Sequence, residues 1–123
     1  MPTATTTGSL TEIDPEILDV EPMVRNFGGL TALVNNLYTL FLNNEEQLHI
    51  DLTARLASGD LHAARIAAHA AAGAARTAGA RRLAALCSTI EDALARGDAG
   101  AATREAACLA TAIADVRRMI AQI

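Results

Sequence analysis

The residues best suited to chemistry lie between Leu61 and Ala78, around Ala68-His69-Ala70-Ala71-Ala72-Gly73-Ala74-Ala75-Arg76. Imidazole is a competent nucleophile toward a phosphoryl group, and a ring that titrates near neutrality offers its neutral form at cellular pH. Phosphoryl transfer otherwise asks for positioning and charge stabilisation. On a helix at about 100° per residue, His69 shares a face with His62 and Arg65 before it and with Ala72, Gly73 and Arg76 after it. Arg65 and Arg76 are therefore the candidate phosphate neighbours, since a guanidinium binds phosphate in a bidentate manner. A solvated basic face accounts for the same two arginines equally well. Gly73 costs its helix roughly 1 kcal/mol against alanine; removing a side chain beside the ring would let a partner's backbone approach. His62 reads as a surface residue rather than a second acceptor, and His49 has no visible partner.

The opposite face of this stretch is alanine: Ala64, Ala67, Ala71, Ala74, Ala75 and Ala78. Such a face admits a neighbouring helix at close range and is expected inside. Asp60 and Gly79 supply the cap and the stop. Upstream, Asp14-Pro15 predicts a first helix from about Pro15 to Phe27, with a possible break at Glu21-Pro22. Leu30, Leu33, Val34, Leu37, Tyr38 and Phe41 follow the spacing of one buried stripe and predict a helix to about Leu42. Asn43 or Asn44 with Glu46 or Gln47 resembles a capping box, so a third helix, ending at Ser58-Gly59, is either separate or the far half of one bent rod. Downstream, Ala80 to Arg96 carries Leu83, Leu86, Cys87, Ile90 and Leu94 on one face. Ala99 to about Ala121 carries a heptad-like seam of Ala102, Ala106, Leu109, Ile113, Val116 and Ile120. Short glycine-containing loops between such helices make neighbours antiparallel. The expected fold is all-α: an antiparallel up-and-down four-helix bundle with an additional short N-terminal helix. Residues 1–12, threonine-, alanine- and glycine-rich, read as a flexible tail before a single domain over residues 13–123.

Composition removes several classes of function. The net charge is -4 and all ten basic residues are arginine, with no basic cluster of the kind that binds nucleic acid. Cys87 and Cys108 fall at apolar helical positions and read as core residues, and without CxxC or Cys/His ligand spacing no metal site is expected. No run is apolar enough to span a bilayer, and the first ten residues lack the pattern of a signal peptide, so a cytoplasmic protein is the simplest expectation.

Residues across most of the chain also carry a resemblance. His69-Ala70-Ala71-Ala72-Gly73, then Gly79-Ala80, Leu83 and Cys87, is similar to the His-x-x-Lys-Gly pattern and its sequel in the histidine-containing phosphotransfer (HPt) domain of two-component phosphorelays. Asp14-Pro15-Glu16-Ile17-Leu18, Leu40-Phe41-Leu42 and Leu56-Ala57-Ser58-Gly59-Asp60 extend the similarity, so it covers Ile13 to Ile123. The resemblance implies a helical bundle in which His69 is the phosphoacceptor, and in which His62, Ala72 and Gly73 form the face that docks a receiver. Its implied partners are receiver domains of response regulators and of a hybrid histidine kinase. It further implies a monomeric carrier without kinase activity or cofactor of its own, the receiver supplying Mg2+. One departure is plain: the family's lysine is Ala72 here, and Arg65 or Arg76 would have to supply the missing charge. Two other readings stand beside this one. The first is a degenerate HPt-like adaptor that binds a receiver or kinase without transferring phosphate, and the second is an unrelated alanine-rich structural bundle.

Overall fold

A computed structural model of the chain describes residues 13–123; the expected tail at residues 1–12 lies outside them. Among the described residues every element is helical. The order is α1 (Glu21–Phe27), α2 (Ala32–Ser58), α3 (Leu61–Ala78), α4 (Arg81–Ala95), α5 (Ala99–Ala106) and α6 (Leu109–Ala121). The expected bundle is present: α2, α3 and α4 form three of its rods, and α5 with α6 forms the fourth. α3 packs on both α2 and α4, while α5 and α6 close the ring against α4 and α2.

α3 runs between the expected residues. The Asp60 side chain accepts from Ala63 N at 3.1 Å, and Gly79 ends the helix in the left-handed conformation at φ 82. Alanine on both flanks allows neighbouring backbones close in: Ala64, Ala68, Ala72 and Ala75 are all fully buried. Leu83, Cys87 and Ile90 from α4, and Ile113 and Val116 from α6, complete this aromatic-poor core.

Two expectations about element boundaries are corrected, and one that the sequence leaves open is decided. The first helix does not begin at Pro15. Amides of Ile17 and Leu18 both bond to Asp14 O, at 2.9 and 2.8 Å, but Asp19 N is diverted to Gly79 O at 2.8 Å. A long-range bond thus stops the helix after one turn, and α1 starts only at Glu21, with Pro22 in the first turn where its missing N–H costs nothing. Second, α2 is a single rod about 40 Å long with no break at Asn43-Asn44. Both asparagines are exposed, and the buried stripe of Val34, Tyr38, Leu42, Glu45 and Leu52 passes through without a change of phase. Third, the last helix breaks at Ala107-Cys108, where Cys108 N bonds back to Glu105 O. The seam remains buried across the break, which falls on the outer side, so Cys108 is exposed rather than core whereas Cys87 is buried.

Candidate functional site

Packing of α3 on two sides leaves one stripe of it open to solvent. His62, Arg65, Ile66, His69, Ala70, Arg76 and Thr77 are exposed along it, with Gly73 partly so. The His69 side chain is 74% exposed, and its Nδ1 lies 2.8 Å from Oε2 of Glu91 on α4, a carboxylate that is itself only 20% exposed. An acceptor fixed beside Nδ1 selects the tautomer with the proton there. Nε2, on the far side of the ring, then carries the free lone pair toward solvent. The result is an oriented nucleophile on the open face of a rigid helix.

A second contact joins the same two helices. Arg76 donates through Nη2 to Oγ of Ser88 at 3.3 Å. Among the described residues Arg65 makes no ion pair, and His62, two turns before His69, shares its stripe without touching it. Ala72 requires a correction: expected on the docking face, it is fully buried. The exposed stripe is narrower than half the helix, because α4 covers the flank where Ala72 lies. Gly73 is placed as expected beside His69, and a Cβ built on it would meet nothing within 4 Å.

Next to Gly73 the surface turns apolar. A depression of about 650 Å³ is lined by Pro22 and Phe27 of α1, Leu37, Leu40 and Phe41 of α2, and Gly73 and Thr77 of α3. Phe27 (43%) and Leu40 (65%) of this lining stand exposed, and Ile66 (58%) is exposed on α3 two turns before Gly73. Among the described residues no group of three or more His, Cys, Asp or Glu side chains is placed to hold a metal ion, and no helix is long and apolar enough to cross a membrane.

Glu91 and Ser88 were not singled out by their positions in the sequence. The signal that finds them is hairpin register. His69 lies ten residues before Gly79 and Glu91 eleven after Ala80, so two antiparallel helices joined at that turn bring them level.

A family model described as Hpt domain matches residues 36–123 of the chain. The chain belongs to the Hpt domain family. The match takes in nearly all of α2 and the whole of α3 to α6, and with them His69, Gly73 and Glu91; the Asp14–Asp19 segment and α1 lie before it. No curated protein and no solved structure matches the chain. An Hpt domain serves phosphotransfer in two-component signalling, interacting with receiver domains and kinases of phosphorelays.

Proposed function

We propose that this Hpt domain is a phosphoryl carrier, accepting a phosphoryl group on His69 from the aspartyl phosphate of one receiver domain and passing it to the aspartate of another. The observation that carries the reading is the His69–Glu91 contact: it leaves Nε2 exposed and holds the ring in one orientation. In the forward step the Nε2 lone pair forms the N–P bond while the P–O bond to the donor aspartate breaks. The electron pair leaves on that carboxylate, and the Nδ1 proton stays against Glu91. The receiver brings its own carboxylates and Mg2+; this chain contributes nucleophile, orientation and docking surface. The apolar depression beside Gly73 supplies the area against which a receiver packs, and His62 lies farther along the same exposed stripe, two turns before His69. The carrier acts as a monomer in the cytoplasm, without kinase activity of its own.

The decisive experiment incubates the protein with a panel of phosphorylated receiver domains and compares wild type with His69→Gln. Label is expected on the wild type alone, stable to base and lost in acid. Receiver binding without any label would establish the adaptor reading instead, for which Ala72 in place of lysine is the supporting observation.

A further inference from the structure

The hairpin of α3 and α4 determines which residues stand level with each other. With His69 opposite Glu91, counting toward the Gly79-Ala80 turn places Ala72 opposite Ser88 and Arg76 opposite Ala84. Arg76 nevertheless bonds to Ser88. Its side chain therefore runs along the hairpin toward His69, by at most the four residues, about 6 Å, that separate the two levels. That is the direction helical side chains favour, because each Cα–Cβ bond tilts toward the helix N-terminus. The same tilt carries Arg65, one turn before His69, away from the imidazole. Ala72 leaves the lane between Arg76 and His69 clear, since its methyl group is fully buried.

Resting on phosphoryl transfer at His69, we infer that Arg76 is the residue that binds the phosphoryl oxygens there, and that Ser88 is its positioning residue. The Arg76 guanidinium ends at Ser88, on the His69 side of its own Cα. One of its five N–H donors is spent on Ser88 and the rest are available to phosphoryl oxygens. Ser88 keeps the guanidinium over the hairpin instead of extended into solvent, so less side-chain freedom is lost when the phosphoryl group arrives. No proton moves: the guanidinium stays charged throughout, offsetting charge on the transferring oxygens as the N–P bond forms and the donor P–O bond breaks. Arg65, on the same stripe, has no part in this.

The test charges the protein with phosphoramidate, a small donor that needs no receiver and releases ammonia as imidazole takes the phosphoryl group. Wild type, His69→Gln, Arg76→Gln, Arg65→Gln, Ser88→Ala and Ser88→Thr are compared for labelling rate, phosphohistidine lifetime and receiver affinity, with circular dichroism confirming the helical fold. Arg76→Gln should label about 10- to 100-fold more slowly, with receiver affinity unchanged. Ser88→Ala should fall between it and wild type, Ser88→Thr should return to wild type, and Arg65→Gln should not differ from wild type. If Arg76→Gln labels His69 at the wild-type rate, or Arg65→Gln is the slow variant, the assignment to Arg76 fails while phosphotransfer stands. If neither phosphoramidate nor any receiver labels the wild type, both fall together.

Discussion

Around Gly79 the backbones of the Asp14–Asp19 segment and the α3–α4 turn meet at hydrogen-bonding distance, whereas a Cβ at Gly73, six residues earlier, would face open space. Asp19 N donates to Gly79 O at 2.8 Å and Arg82 N to Glu16 O at 2.9 Å, so the Asp14–Asp19 segment is fastened across the α3–α4 turn. Arg81 adds contacts to Asp19 at 3.2 Å and Glu16 at 3.8 Å. A Cβ on Gly79 would stand 2.3 Å from Asp19 O; one on Gly73 would stand in open space. The first glycine is required by the fold. The second is not, and in a helix made largely of alanine it costs stability without a return inside the fold; docking of a receiver against this stripe, as proposed, would account for it.

Breaking the first half of this comparison has the larger effect. Gly79→Ala combines a left-handed backbone that alanine tolerates poorly with a collision against backbone rather than a yielding side chain. It should cost about 2–4 kcal/mol, lowering Tm by about 10 °C or more in thermal melts. A melt unchanged from wild type would mean that the Asp14–Asp19 segment is not held at this turn. The effect on His69 chemistry is indirect: with Asp19 released, α1 loses its anchor, and with it one wall of the apolar depression.

What the sequence discloses follows the same division. α3 is legible to the residue because Asp60 and Gly79 act locally, through a cap and a left-handed turn. The orientation of His69 is legible from helical phase alone. Glu91 and Ser88 are not, since their meaning comes from a neighbouring helix and depends on hairpin register. Ala72 misleads because alanine carries no polarity to say which flank is covered. The start of α1 is misjudged for a related reason: Asp14-Pro15 is a sound local signal, overridden by the long-range bond from Asp19 to Gly79. At Ala107-Cys108 the seam continues unbroken, so apolar spacing gives no sign that the backbone turns.

Glu45 sharpens the comparison from the interior. It is 1% exposed, its Oε1 has no hydrogen-bond partner among the described residues, and it packs among Leu52, Ala71, Cys87 and Ile113, with His49 one turn on. Burial pushes its carboxyl up to about 8, and burial together with the nearby Glu45 pushes the Cys87 thiol up to about 12. Because the folded state holds this proton more tightly than the unfolded chain, the contribution of Glu45 to stability is full below the ordinary carboxyl range. It declines as pH rises toward 8 and levels off above that. Glu45→Leu should remove this decline, and at pH 8 the variant should be more stable by about 1–3 kcal/mol. Denaturant titrations of both proteins from pH 5 to 8 isolate the contribution, since over that range Cys87, the group coupled to Glu45, largely keeps its proton and groups remote from Glu45 cancel in the difference. Parallel pH profiles would show that Glu45 is not protonated in the folded bundle. Transfer at His69 should be unaffected, because Glu45 belongs to the core and not to the open face.

Gly73→Ala is the smallest change in stability and the most informative about the open face. The added methyl group meets nothing within 4 Å, and the helix gains by losing a glycine, so the isolated protein should be more stable by about 0.5–1 kcal/mol. If a receiver lies against this stripe, the same methyl group intrudes where its backbone packs, and overpacking at a fitted surface should weaken binding by about tenfold. Labelling by phosphoramidate, which needs no docking, should stay at the wild-type rate. A variant that is more stable, equally reactive toward the small donor and slower only with receivers separates docking from chemistry in one substitution. Equal transfer from receivers would mean that the partner does not reach Gly73, and the docking surface would then have to be sought nearer His62.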